Sequence, residues 1–270
     1  MEKKYKLTEE TINVCGRTLH RIEALKDFGD VKKGDKGGFI ENENNLSQDG
    51  NCWVYDNVMV YGNANVYGDA KVYYNAEVCG NAKIYDNAEV FGKAMVYDNA
   101  KIHNHASVCG DARVFGYSEI FGSAMVYGNA KICDKARVCE NAEIFGNAWV
   151  YGNAEIFDDA KIYDDAKIYG LAWVYRNAEV CGSAEVCGDA RICADAKVES
   201  NGDYIVFRNW WSSGRYFTWT KSNDMWKVGC FYGTGKELID KAYRDSEISG
   251  REYERIVKYV ETINNDLEIM

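Results

Sequence analysis

The sequence predicts a mainly β protein, in which a three-sided parallel solenoid of about eight coils precedes a small α+β domain. Three observations lead to this fold class. Every sixth residue from Val54 to Val198 is valine or isoleucine, without a single insertion. The residue two positions earlier is alanine from Ala64 to Ala196, with Ser118 as the exception. After residue 200 the repeat stops, and alternating and helical patterns replace it.

Each six-residue unit is predicted to form a very short strand and a corner. The alanine and the aliphatic residue lie two positions apart, so both point to one face of an extended strand. The variable residue between them and the aromatic residue that follows point to the other face. The last two positions hold pairs such as Gly-Asn, Gly-Asp and Asp-Asn, which suit a tight corner. Small, uniform inward residues therefore indicate a narrow, coiled interior.

Charges at the variable position favour three units, or 18 residues, per coil. Opposite charges are more frequent at a separation of 18 residues than at 6 or 12, as in the series Glu143, Lys161, Glu179 and Lys197. Parallel coils satisfy each other's backbone groups at a spacing of about 4.8 Å, so the predicted prism is roughly 40 Å long.

The 18-residue coil, with small and aliphatic residues at fixed positions, resembles the hexapeptide-repeat, left-handed β-helix proteins. The "NAxVYG" form of the repeat is similar to that of bacterial and prophage members of this superfamily. The resemblance covers residues 49–200. It implies a left-handed coil and a homotrimer. For the acyltransferases of the superfamily it also implies a general-base histidine that works between subunits.

The outward position after each aliphatic residue holds mostly tyrosine or phenylalanine, with cysteine as the usual substitute. With three units per coil, one face stacks Tyr55, Tyr73, Phe91, Cys109, Tyr127, Phe145, Tyr163 and Cys181. Two interpretations are compatible: a ladder of stacked rings, and an apolar stripe buried against another subunit or partner. The cysteines fall on three faces without a C-x-x-C pair, so we interpret them as small hydrophobic residues and expect no metal site.

Residues 1–48 are predicted to form an N-terminal cap, because the open edge of a coil would otherwise pair with other chains. Apolar and β-forming stretches at 11–22 and 37–40 flank the turn-rich segment "GDVKKGDKGG". The lysines of this segment lack the order of a P-loop, so we interpret it as a plain turn.

Residues 201–270 are predicted to form a small α+β domain. The stretches "DYIVFRNWW" and "RYFTWTKSNDMWKVGCF" alternate apolar and polar residues as strands do, with "KSND" as a hairpin turn. Two helices follow, each announced by a predicted capping box: Thr234 with Glu237, and Ser249 with Glu252.

The same domain supplies the candidate ligand-binding residues. Tryptophans and arginines are interleaved in it, a combination that can stack a nucleobase or another planar ligand. The candidates are Arg208, Trp210, Trp211, Arg215, Trp219 and Trp226. The alternative is that these tryptophans form the core of a small domain.

Composition narrows the class of protein. The net charge of -10, from 32 basic and 42 acidic residues, argues against direct coating of nucleic acid. No apolar run is long enough for a signal peptide or a membrane span. We therefore expect a cytoplasmic protein without a membrane partner, in which the cysteines stay reduced. No cofactor is expected.

Catalysis has few candidate residues in this sequence. His103 occupies an aromatic position and His105 a corner, and both are candidates for the general base of an acyltransferase. No loop leaves the repeat to build a pocket over them. The predicted function is non-catalytic binding or sequestration, as by a phage or prophage factor that binds a nucleotide-like ligand or a host protein. The alternative is an acyl-CoA-dependent acyltransferase.

Overall fold

Three strands precede the solenoid and extend one of its sheets. The computed structural model describes residues 3–269. β1 (Tyr5–Val14) and β2 (Arg17–Ala24) form an antiparallel hairpin. β3 (Lys36–Ile40) pairs antiparallel with β2 and, on its other side, parallel with the first coil. These strands include both β-forming stretches that the sequence indicates before the repeat.

Side chains of the N-terminal segment complete the closure of the first coil. The Asn45 amide donates from Nδ2 to the Ala64 carbonyl at 2.8 Å. Lys4 donates from Nζ to the Cys52 carbonyl at 3.0 Å, and this lysine is 1% exposed. Burial lowers the pKa of Lys4. The N-terminal end of the solenoid is therefore covered.

Two-residue strands, each a variable residue followed by valine or isoleucine, build three parallel sheets. The first face contains β4 (Trp53–Val54), β7 (Lys71–Val72), β10 (Glu89–Val90), β13 (Ser107–Val108), β16 (Met125–Val126), β19 (Glu143–Ile144), β22 (Lys161–Ile162), β25 (Glu179–Val180) and β28 (Lys197–Val198). The second face contains β5 (Met59–Val60), β8 (Glu77–Val78), β11 (Met95–Val96), β14 (Arg113–Val114), β17 (Lys131–Ile132), β20 (Trp149–Val150), β23 (Lys167–Ile168) and β26 (Glu185–Val186). The third face contains β6 (Asn65–Val66), β9 (Lys83–Ile84), β12 (Lys101–Ile102), β15 (Glu119–Ile120), β18 (Arg137–Val138), β21 (Glu155–Ile156), β24 (Trp173–Val174) and β27 (Arg191–Ile192).

Strands that pair are 18 residues apart, which confirms three units per coil. Glu143, for example, pairs with Lys161, and Lys161 pairs with Glu179. The solenoid is therefore a three-sided parallel β-helix, and its stack of eight or nine strands per face agrees with the predicted number of coils.

The inward alanine, valine and isoleucine side chains of all coils are buried and form one continuous core. Ser118, the exception in the alanine column, is also fully buried. Its hydroxyl donates to the carbonyl of Phe115 at 2.7 Å, so the polar group is satisfied inside the core.

The first residue of each corner has a positive φ, which explains the choice of residues there. A Cβ on Gly128 would lie 3.0 Å from the backbone nitrogen of Gly146 in the next coil. Aspartate is accepted at equivalent positions because its carboxylate bonds to the next coil, as Asp134 does with the N–H of Gly152 at 3.0 Å. Four corners depart from glycine, aspartate and asparagine: Tyr74, Glu140, Arg176 and Ala194.

The predicted aromatic ladder is present on all three faces. Consecutive rings stack at centroid distances of 4.7–5.2 Å with interplanar angles of 1–11°. Phe145, for example, stacks on Tyr127 and on Tyr163. Such pairs contribute about 0.5–1.5 kcal/mol each beyond the burial of their area. The pair Tyr55 and Tyr73 is different, because its rings are nearly perpendicular.

The C-terminal residues form a four-stranded antiparallel sheet and two helices, as expected. The strands are β29 (Tyr204–Arg208), β30 (Tyr216–Thr220), β31 (Met225–Val228) and β32 (Phe231–Gly233), and the helices are α1 (Gly235–Asp245) and α2 (Glu247–Ile269). The turn between β30 and β31 is the predicted segment "KSND". Within the described residues, neither helix combines the length and the hydropathy that a membrane-spanning helix needs.

Only one of the two predicted capping boxes forms. Thr234 and Glu237 cap α1 with reciprocal side-chain to backbone hydrogen bonds. The box predicted for Ser249 and Glu252 is wrong, since both residues lie inside α2. Ser246 caps that helix instead, and its Oγ accepts the N–H of Ser249 at 3.1 Å. The reason is that α1 ends at this serine, so the extended residue between the helices lies three positions earlier than predicted.

Side-chain oxygens of the C-terminal segment close the other end of the solenoid. In earlier coils the amide of each variable residue donates to an alanine carbonyl of the next coil, as Lys167 does to Ala184 at 2.9 Å. The last coil has no successor, and a side chain replaces the carbonyl on each face. The pairs are Glu185 N with Asn201 Oδ1 at 2.7 Å, Arg191 N with Thr218 Oγ1 at 2.9 Å, and Lys197 N with Ser222 Oγ at 2.7 Å.

Candidate ligand-binding site

The loop 209–215 joins β29 to β30 and carries several of the predicted site residues. Asn209, which is 1% exposed, organises this loop. Its Nδ2 donates to Ser212 Oγ at 2.8 Å, and its Oδ1 accepts the N–H of Ser212 at 2.9 Å. The backbone N–H of Asn209 donates to the carbonyl of Arg215 at 2.7 Å. These bonds hold the loop in one conformation and so fix the side chains beside it.

The structure separates the six predicted ligand-binding residues into two groups. The surface group is Arg208, Trp210 and Arg215. The core group is Trp211, Trp219 and Trp226. Trp210 has 80% of its surface exposed, which is unusual for so large an apolar ring.

The core group packs inside the C-terminal domain. Trp219 and Trp226 are cross-strand partners and are 3% and 2% exposed. Trp219 donates from Nε1 to Asp224 at 2.8 Å, which ties it to the hairpin turn. Trp211 packs against Phe217 and against the helix residue Tyr253. For these three tryptophans the core interpretation applies, and the surface group is left to contact a ligand.

Arg215 lines a surface pocket at the junction of the C-terminal domain with the last coil. The pocket has a volume of about 230 Å³ and is lined by Asp189, Arg191, Arg215, Tyr216 and Gly229. Gly229 has a φ of 54°, and a Cβ there would lie 3.4 Å from the Arg215 side chain. A larger residue at this position would therefore crowd the guanidinium group.

Aromatic rings flank the arginines of this region. Arg191 extends from β27, and its guanidinium carbon lies 4.6 Å from the centre of the Trp173 ring. Arg208 lies over the Tyr216 ring at 5.8 Å. Among the described side chains, Arg191 and Arg215 have no carboxylate within ion-pair distance. Both guanidinium groups therefore keep their donors for solvent or a ligand.

This arrangement is suited to binding an anion. A guanidinium group donates two parallel hydrogen bonds to a phosphate or carboxylate, and two such groups line the same pocket. Asp189 adds one acceptor for a hydroxyl or amino group of the ligand. The lining contains no histidine, cysteine or serine that would serve as a base or nucleophile.

The sequence prediction missed Asp189, Arg191 and Tyr216. Asp189 and Arg191 belong to the last coil, where the repeat assigns them to a corner and to the variable column. A signal was nevertheless present, because the last coil lies directly before the C-terminal domain in the chain. Tyr216 immediately follows the predicted Arg215.

His103 belongs to the aromatic ladder of the third face. Its ring is stacked between Tyr85 at 4.7 Å and Phe121 at 5.2 Å. Its Nε2 lies 3.3 Å from Glu119 Oε1, and the other Glu119 oxygen lies 3.5 Å from Arg137. A histidine beside a carboxylate is the pair that a general base requires. Both ring faces are covered, however, and only 15% of the side chain is exposed.

His105 occupies a different setting from His103. It is exposed at the corner that follows, and its backbone N–H donates to the carbonyl of Gly122 at 2.8 Å. The cysteines are spread along the faces, and within the described part of the chain no group of three histidine, cysteine or acidic side chains is arranged to hold a metal ion.

The fold defines the class of protein to which this structure corresponds. A three-sided parallel solenoid with an 18-residue coil fits a hexapeptide-repeat, acyltransferase-like β-helix. No protein-family model matches the chain. A segment of 38 residues, 14% of this chain, is 53% identical to the "Uncharacterized acetyltransferase YdcK" of Escherichia coli strain K12. The segment spans 12% of the length of that protein.

Proposed function

We propose that this protein acts by binding, and that the pocket between the last coil and the C-terminal domain is its ligand site. The observation that carries the proposal is the position of Arg191 and Arg215, which reach one pocket from two parts of the fold. Two guanidinium groups without carboxylate partners favour an anionic ligand. The solenoid then serves as a rigid support for one half of the site.

A phosphate-bearing planar compound, such as a nucleotide, matches the chemistry of the site. The arginines would bind the phosphates, and the Tyr216 and Trp210 rings offer surfaces for stacking. The volume of about 230 Å³ is smaller than the roughly 300–1,000 Å³ of pockets that enclose a whole small molecule. We therefore expect the phosphates to occupy the pocket and the base to remain partly outside it.

Calorimetric titration with three probes tests this proposal: ATP, tripolyphosphate and adenosine. We expect ATP to bind, tripolyphosphate to bind more weakly, and adenosine to give no measurable heat. Arg191→Ala and Arg215→Ala should each weaken ATP binding by at least about tenfold, because each removes a charge-assisted hydrogen bond. Arg113→Ala, which removes an exposed arginine from the second face, is the matched control.

Two results would contradict the proposal. If neither ATP nor tripolyphosphate binds, the pocket is not an anion site. If tripolyphosphate binds as tightly as ATP, the rings contribute nothing and the ligand is not planar.

A second candidate function is acyl transfer from acyl-CoA. The pairing of His103 with Glu119 favours it, together with the short match to a protein named as an acetyltransferase. In this mechanism Glu119 would orient His103, and His103 would take the proton from an acceptor hydroxyl or amine. The stacked rings on both sides leave only the ring edge for this step.

His103→Phe tests acyl transfer without disturbing the ladder, because phenylalanine is a regular residue at this position. Release of CoA from acetyl-CoA is followed by chromatography with a panel of amine and hydroxyl acceptors. If the wild-type protein turns over and His103→Phe does not, at an unchanged melting temperature, the protein is an enzyme. His105→Phe is the control for loss of a histidine outside the ladder.

We also propose that the protein forms a homotrimer through the second face. This face carries Met59, Met95 and Trp149 at the variable position, and Trp149 is exposed in the single chain. Light scattering should give three times the chain mass of 30.6 kDa. Trp149→Glu should dissociate the trimer, whereas Met125→Glu on the first face should not. A monomeric wild-type protein would overturn this assembly.

A further inference from the structure

A second pocket lies at the opposite end of the solenoid, where the N-terminal segment meets the first coils. It has a volume of about 370 Å³ and opens to the surface. Its lining consists of Asp30, Tyr55, Asp56, Lys71, Tyr73, Tyr74 and Glu89. We call this pocket the tyrosine box. Neither the repeat nor the site described above accounts for it.

The box exists because the aromatic ladder of the first face is interrupted there. Tyr73 stacks on Phe91 at 4.7 Å with an interplanar angle of 4°, as in the rest of the ladder. Tyr55, in the preceding coil, lies at 6.4 Å and 88° to Tyr73. Its hydroxyl donates instead to Asp30 of the N-terminal segment at 2.8 Å. The rotation of Tyr55 leaves an open space beside the Tyr73 ring.

Tyr74 supplies a third ring at a corner where the repeat normally has glycine, aspartate or asparagine. Its φ of 63° is a rare conformation for so bulky a residue. The side chain is 57% exposed, and its ring lies 5.2 Å from Tyr73 at 64°. The backbone N–H of Tyr74 donates to Asp56 at 2.9 Å. Three tyrosine rings at steep angles to one another therefore line one pocket.

The charge of the box is negative. Three carboxylates line it against one ammonium group. Lys71 is held by Asp30 at 3.1 Å, so the charges of Asp56 and Glu89 remain without a cationic partner in the pocket. The hydrogen bond from Tyr55 lowers the pKa of Asp30, so this group also stays ionised at neutral pH.

We propose that the tyrosine box binds a small organic cation with a quaternary ammonium group. The faces of aromatic rings attract cations, and several rings around one space are the arrangement that recognises methylated ammonium groups. The carboxylates add attraction for positive charge. A bare metal ion would use the carboxylates but not the three rings. This proposal is independent of the anion site at the other end of the molecule.

Calorimetric titration with choline, and with its uncharged isostere 3,3-dimethylbutan-1-ol, tests the proposal in the full chain. We expect choline to bind at least tenfold more tightly than the isostere, because only the positive charge differs. Glycine betaine should bind more weakly than choline, since its carboxylate would face Asp56 and Glu89. Equal binding of choline and the isostere, or no binding of choline, would overturn the proposal.

Variants at one corner locate the binding. Tyr74→Gly restores the common corner residue and removes one ring, so it should weaken choline binding at least about tenfold, or 1.4 kcal/mol, without loss of stability. Tyr74→Phe keeps the ring and should bind as the wild type does. Glu140→Gly makes the same kind of substitution at a remote corner with positive φ and should have no effect. Unchanged binding by Tyr74→Gly would place choline elsewhere.

Discussion

Replacement of Thr218 by valine tests whether side-chain oxygens close the last coil. Thr218 Oγ1 accepts the N–H of Arg191 at 2.9 Å, and Thr218 is 1% exposed. Valine has nearly the same shape and an equal preference for strands, so no cavity forms and only the acceptor is lost. A buried N–H without a partner costs about 1–3 kcal/mol. For a chain of this size, that corresponds to a fall in melting temperature of roughly 2–10 °C.

Urea unfolding followed by circular dichroism measures the loss of stability, and hydrogen exchange measures the loss of protection at the Arg191 amide. Thr220→Val is the matched control in the same strand. Its hydroxyl donates to Asn223 Oδ1 at 2.6 Å within the hairpin turn, so this change leaves the coil edge paired. The reasoning is refuted if Thr218→Val leaves both the unfolding free energy and the Arg191 exchange rate unchanged.

The remaining predictions concern the ladder, a thiol and a corner. Phe145→Ala and Tyr127→Ala should show a coupling free energy of about 0.5–1.5 kcal/mol in a double-mutant cycle by urea unfolding, and simple additivity would contradict stacking. Burial raises the pKa of Cys139 to about 11. Its thiolate is therefore scarce at pH 8, and iodoacetamide should modify the exposed Cys15 first, with Cys139 accelerating toward pH 11. Equal rates at pH 8, by mass spectrometry, would contradict this. Gly128→Val should destabilise by about 1–2 kcal/mol because φ is 70°, whereas Gly128→Asp should cost less; equal melting temperatures would contradict the corner argument.

The C-terminal domain shows where sequence reasoning was incomplete. Trp210 and Trp211 are neighbours in the chain, and yet one is exposed and the other packs on Phe217. The difference arises from the loop conformation that Asn209 holds, and residue type carries no information about it. The start of α2 was misplaced for a similar reason, since both Ser246 and Ser249 have a suitable side chain.

The binding pockets depend on contacts that are distant in the chain. Arg191 and Arg215 lie 24 positions apart, and Asp30 reaches Tyr55 and Lys71 only because the N-terminal segment folds onto the first face. The corner tyrosine, Tyr74, was visible as an exception to the repeat. Its meaning required knowing which rings surround it.

The sequence by itself determined the solenoid, because a six-residue period with small inward residues has one way to bury its aliphatic column and pair its backbone. The same period determined the corners and the ladders. The tertiary structure alone decided how the two ends are closed and which side chains meet there. The physical reason is that a repeat specifies contacts between equivalent positions of successive coils, whereas the ends bring together residues that share no period.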